Sequence, residues 1–255
     1  MPKLQLNRLS GNALKIIAAV TMLVDHAGML LFPRVRLLRI IGRISFPIFA
    51  YFIAEGCRYT KSKLRYFLTV LLSGAVFQTV YYLATGSDYM NIFITFALSI
   101  PAVYLLNALK GELTSTERNV PLTVSLAVML AVYLAFLVFF TEAVTVSYGL
   151  AGVSVPIASS IFMAPRSRAH GSLAGNSEAA CPPAFDSRLL QVLCTGAALL
   201  ALARVNGGVQ IYALLALPLL LLYSGERGRL KMKYFFYVFY PAHLVLLQGL
   251  ALLMK

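Results

Sequence analysis

The chain has 255 residues, 60% of them hydrophobic and only 12% charged, with a net charge of +13 and a mean hydropathy of +0.80. A soluble domain is typically about 45–50% apolar and roughly 25% charged, so the polar residues here are too few to cover a water-soluble globule. The positive charge lies in short connections between apolar blocks, which is a topology signal, and no basic domain stands apart to bind nucleic acid.

The blocks approach the ~20 residues that a membrane-crossing helix requires. They predict an all-α polytopic bundle, a single integral membrane domain over 1–255. About nine spans are expected, at 13–32, 37–57, 64–85, 90–109, 120–141, 145–164, 188–205, 208–224 and 234–254. The first run follows Lys3, Arg8 and Lys15, as a signal sequence would. It is too long for one, and no small-x-small cleavage site follows.

That first block contains "TMLVDHAGMLLFP". At 1.5 Å per residue, Asp25 and His26 lie about 18–20 Å from the inner end of the helix, slightly past mid-membrane. An aspartate there costs on the order of 2.5–3.5 kcal/mol even on a gentle insertion scale, so it must face the bundle interior or a wet cavity. The next block, "PRVRLLRIIGRISFP", sets Arg36, Arg39 and Arg43 at i, i+3 and i+7, one stripe down one helix face. Running the opposite way, it brings Arg43 to nearly the depth of Asp25. An Asp25–Arg43 pair is expected, with Arg39 and Arg36 lining the route outward or meeting lipid headgroups. Neighbouring helical residues point about 100° apart, so Asp25 does not orient His26, and the imidazole needs a partner from another helix.

Glu55 ends this block, with Arg58 at i+3 as its simplest partner. "RYTKSKLRY" follows, placing Arg58, Lys61, Lys63 and Arg65 at the inner membrane surface, where they set topology or hold phosphates of a cytosolic ligand. Gln78 and Asn91 are expected to hydrogen-bond between helices. The sixth block contains Gly149, Gly152 and Pro156 and reads as a broken or re-entrant helix. Residues 166–187, rich in Gly, Ser, Ala and Pro, read as a hydrophilic loop, and His170 there reads as solvated. In the last block, "YFFYVFYPAHLVLLQ", His243 sits about halfway along the helix beside Pro241, with Tyr240 and Gln248 near it.

Most Lys and Arg fall on the side shared with the amino terminus, which predicts a cytoplasmic amino terminus. The exceptions are Arg34, Arg36, Arg39, Arg43, Arg204 and Lys255, four of them in the first outer connection. Cys57, Cys181 and Cys194 have neither disulfide nor metal spacing, and no metal site is expected. Phosphate-loop and dinucleotide motifs are absent.

The segments "LKIIAAVTMLVDHAGMLLFP", "LRIIGRISFPIFAYFIAEG" and "LLALPLLLLYSGERG" with "KYFFYVFYPAHLVLL" resemble the TraX family of membrane proteins, over about residues 10–110 and 210–250. The Asp-His pair, the Gly-Arg-x-x-Phe-Pro segment and the Tyr-Pro-x-His segment carry the resemblance. The family's named member acetylates the amino terminus of a conjugative pilin, and the family looks like a distant relative of larger membrane acyltransferases. The resemblance implies an inner or plasma membrane enzyme that moves an acetyl group from cytosolic acetyl-CoA to an acceptor protein or envelope glycan.

It further implies that His26 is the histidine of the catalytic centre, and that Asp25, Arg43, Glu55 and His243 occupy the family's other polar positions. Chemically, a histidine near pKa 6.5 suits an α-amine of about 7.7–8.0 as a base. Asp25 and His243 would complete the catalytic group, Arg39, Arg43, Glu55 and Tyr240 would contact substrate, and Arg58, Lys61, Lys63 and Arg65 would meet the coenzyme A phosphates. Two rivals use the same residues: a proton-coupled permease with Asp25, His26 and Arg43 as its relay, and a non-catalytic scaffold with a structural ion pair.

Overall fold

The computed structural model describes residues 9–115, 117–164, 186–230, 232 and 235–254. The hydrophilic insertion, apart from residues 186 and 187, lies outside them, and with it His170, Cys181, Arg166 and Arg168. Lys3, Arg8, Lys231, Lys233 and Lys255 also lie outside. The described residues are almost entirely helical, without a strand, and carry two isolated bridges, Leu9 with Tyr223 and Met90 with Val146.

The helices are α1 (Gly11–Leu30), α2 (Arg36–Gly42), α3 (Ser45–Tyr59), α4 (Lys63–Thr85), α5 (Ile92–Leu113), α6 (Val120–Ala143), α7 (Gly149–Ser160) and α8 (Arg188–Asn206). A 3-10 helix (Gly208–Leu215), α9 (Ala216–Leu221) and α10 (Phe235–Leu253) complete the chain. Polar caps set several starts. The side chains of Ser10, Ser62, Asn91 and Asn119 each accept from a backbone N–H in the first turn of the helix that follows, satisfying a donor that has no intrahelical partner. Helix α4 stops at Gly86, whose φ of 68° is a left-handed conformation that costs glycine nothing.

Among the described residues, seven helical stretches are long and apolar enough to cross a membrane: α1, α2 with α3, α4, α5, α6, α8 and α10. Two of the nine expected spans are shorter. The sixth reduces to the 12 residues of α7, about 18 Å at 1.5 Å per residue. It is not a hairpin that returns to its own side. Thr95 donates to the Ser147 carbonyl at 2.9 Å near the start of α5. At the far end, the Lys110 ammonium donates to the carbonyls of Ser160 at 2.6 Å and Met163 at 2.7 Å. The stretch Ser147–Met163 therefore runs parallel to α5 from Thr95 to Lys110, over about 22 Å. The buried lysine caps carbonyls that the end of α7 leaves without helical donors. The eighth expected span divides into the 3-10 helix and α9, which follow a break at Gly207 and Gly208, both at positive φ.

The single domain expected from the sequence is built of two compact units, Met1–Ala50 with Thr195–Lys255, and Tyr51–Cys194. In the second, α4, α6 and α7 pack on α5, and α5, α6 and α7 meet around the buried Ala102, Leu137 and Val153. Asn91 ties α4 to α5, donating to the Gly74 carbonyl and to Gln78 Oε1. Thus both polar groups join helices, as expected for intramembrane amides. In the first unit, α1 packs closely against α2 and also against α10.

Candidate functional site

Two glycines permit the α1–α2 approach. A Cβ on Gly42 would fall on the Asp25 side chain, and one on Gly28 would fall on Leu38. Small residues at such crossings let helix backbones come together. The second expected span breaks between α2 and α3 at Arg43 and Ile44. Pro47, in the first turn of α3, has no N–H to continue the ladder across that break.

Beside Gly42, the Asp25 carboxylate takes two cations. Arg43 Nη2 donates to both oxygens, at 2.6 and 2.5 Å, and Arg39 Nη1 donates to Oδ2 at 2.9 Å. Arg43 also donates from Nη1 to Gln210 Oε1 at 3.1 Å and from Nε to the Arg39 carbonyl at 3.3 Å. Asp25 and Arg43 are buried, whereas the Arg39 side chain is 28% exposed. Among the described residues, Arg39 makes its side-chain hydrogen bonds through Nη1, which leaves Nε and Nη2 as further donors. One carboxylate against two guanidiniums leaves a net charge of about +1 in a low-dielectric setting, where charge acts strongly. Gln210 is buried, and its Nε2 has no hydrogen-bond partner among the described residues. Its orientation is fixed chemically, because only the amide oxygen can accept from Arg43.

His26 points away from this carboxylate and meets α10. Its Nδ1 lies 2.8 Å from His243 Nε2, with ring centroids 4.9 Å apart. His243 Nδ1 lies 2.7 Å from the Phe239 carbonyl oxygen, one turn back on the same helix. Phe239 stacks on the His243 ring, and Tyr240 meets both imidazoles edge-on. Asp25 and His26 are neighbours on α1, so the two clusters adjoin and form one site.

The structure thus joins Asp25, His26, Arg39, Arg43, Tyr240 and His243 in the first unit. Arg36 is exposed. Glu55 belongs to the second unit. The hydrogen bonds of the Arg58 fork go to Asp186, at 3.0 and 2.8 Å, and not to Glu55 at i+3. Asp186 also accepts from Gln191, and Gln191 accepts from Tyr51. Lys61, Lys63 and Arg65 are exposed around the turn that opens α4, and Lys63 lies over the Tyr104 ring. Sequence reasoning passed over Gln210 and Asp186, both of which lie in stretches without helical period or charge pattern to mark them.

Long apolar helices and a buried ionic cluster beside paired histidines define a polytopic helical membrane protein with a polar intramembrane centre. The chain belongs to the TraX family, whose model, described as TraX protein, matches residues 10–251. The match runs through 111–209, where the resemblance in the sequence was weak. A probable fimbrial assembly protein of Dichelobacter nodosus is 25% identical over 92% of each chain. An uncharacterized protein of Rickettsia prowazekii is 37% identical over 65 residues, 26% of this chain and 24% of its own length. No solved structure matches.

Proposed function

We propose that this protein is a multi-pass acetyltransferase of the inner or plasma membrane, using cytosolic acetyl-CoA to modify an amine or hydroxyl acceptor at or across the bilayer. The observation that carries the reading is the His26–His243 contact of 2.8 Å beside a cluster with excess positive charge. In this reading the acceptor nitrogen attacks the thioester carbonyl carbon while His26 takes its proton. The C–N bond forms, the C–S bond breaks, and the proton returns to the departing thiolate. The carbonyl oxygen is an oxyanion in between, and a preorganised cation in a dry site stabilises it.

Arg39 fits that task better than Arg43. Arg43 is buried and held by Asp25, Gln210 and the Arg39 carbonyl. It serves as the frame that fixes the cluster, while Arg39 keeps unused donors. Lys61, Lys63 and Arg65, all exposed, are the cations offered to the coenzyme A phosphates. For Arg58 to join them it would have to leave Asp186. Membership in the family and similarity to a fimbrial assembly protein favour a pilin-like amino terminus as acceptor, with an envelope glycan as the alternative.

A proton-coupled permease is less well supported. Asp25 is clamped by two guanidiniums, and the histidine chain ends at the Phe239 carbonyl, which has no proton to pass on.

The test is transfer of labelled acetyl from acetyl-CoA to an α-amine peptide by protein in liposomes. Wild type is expected to transfer, and His26→Ala to lose on the order of 10²- to 10⁴-fold in kcat, the usual contribution of a general base. Equal rates in the two proteins would refute the assignment.

A further inference from the structure

The pair of histidines has a direction. A backbone carbonyl only accepts, so His243 Nδ1 carries the proton in its contact with the Phe239 oxygen. A neutral imidazole has one N–H and one lone pair. His243 Nε2 is therefore the lone pair, and the nitrogen 2.8 Å from it, His26 Nδ1, carries a proton. The Met22 carbonyl, one turn back on α1, also accepts from the His26 ring; with both rings neutral, His26 has one N–H to offer, and only a proton on Nδ1 serves His243. The proton on Nδ1 leaves the lone pair of His26 on Nε2, the nitrogen at the far side of the ring from His243.

We infer that His243 is a positioning residue, which holds His26 in its Nδ1–H tautomer so that Nε2 is the atom that takes the acceptor's proton. This rests on the acetyltransferase reading and assigns roles to its two histidines. His243 then touches neither substrate. Its own nitrogens are occupied by His26 and the Phe239 carbonyl, its ring lies under Phe239 at a centroid distance of 5.0 Å, and its residue is buried. When His26 Nε2 gains a proton, the resulting imidazolium donates from Nδ1 to the His243 lone pair. The positive charge is thereby met by a hydrogen bond that was already in place, at no cost of reorganisation.

The experiment pairs a spectroscopic readout with kinetics. In 15N-histidine NMR of the detergent-solubilised protein, His26 is expected to show a protonated Nδ1 and an unprotonated Nε2. His243→Leu removes one of the two acceptors and leaves the Met22 carbonyl, so His26 should shift part of the way toward the Nε2–H tautomer while kcat falls on the order of 10²-fold, the scale of a misplaced base. His243→Gln should restore much of both, because a glutamine Oε1 occupies about the place of the imidazole Nε2 and accepts the same hydrogen bond. A His26 that carries its proton on Nε2 in wild type overturns the inference. So does His243→Leu with an unchanged tautomer and rate. If wild-type protein transfers no acetyl group, the enzyme reading fails and the catalytic role falls with it, while the NMR signal decides separately whether His243 sets the tautomer.

Discussion

At Asp25, two guanidiniums share one carboxylate in a site with little access to water. Removing one member of a buried ionic group strands the others, at a cost of about 3–5 kcal/mol. Asp25→Ala removes the carboxylate that Arg39 and Arg43 share, so it is expected to lower thermal stability in detergent more than Arg43→Met does. The double variant, Asp25→Ala with Arg43→Met, should recover part of the loss, since it removes both charges and leaves only the partly exposed Arg39. Additive losses would show that the two residues do not act as a unit. The Asp25–Arg43 pair was legible in the sequence because depth along two antiparallel helices follows from the rise per residue. The His26–His243 pair was not. Each histidine stood out as ionisable, but their meeting depends on how α1 and α10 rotate against each other across 217 positions of sequence. Arg39 was half legible: its stripe with Arg43 was plain, its attachment to the same carboxylate was not.

Helix α1 can reach α2 only through its glycines. Gly42→Ala places a methyl group where Asp25 lies, and overpacking of this kind costs typically about 1–3 kcal/mol. The variant is expected to melt earlier and to lose acetyl transfer. Gly249→Ala, with nothing near its added Cβ, should be neutral or stabilising by roughly 0.5–1 kcal/mol, since alanine favours a helix. Equal melting temperatures for the two variants would remove the close-approach account. Hydropathy found the long helices because they need only length and composition. It could not resolve the sixth and eighth blocks, where glycines, prolines and a 3-10 turn shorten the regular helix. There, hydrogen bonds such as Lys110 to Ser160 and Met163 carry the organisation, and these join segments far apart in sequence.

For the whole molecule, we propose from the charge distribution a cytoplasmic amino terminus and Lys61–Arg65 turn, with Arg34 and Arg36 on the other side. In a background with Cys57, Cys181 and Cys194 replaced, a cysteine at position 61 should react with an impermeant maleimide only in inverted vesicles. One at position 34 should react in intact cells. Labelling of both from the same side would overturn the orientation and, with it, the idea that a cytosolic donor meets the turn at Lys61. Use of acetyl-CoA by this membrane protein is to be checked by calorimetric titration of acetyl-CoA into purified, detergent-solubilised protein, with Lys61→Ala/Lys63→Ala alongside. Micromolar binding by wild type, weakened in the double variant, is the expected result. Heat changes no larger than dilution in a well-folded sample would contradict it.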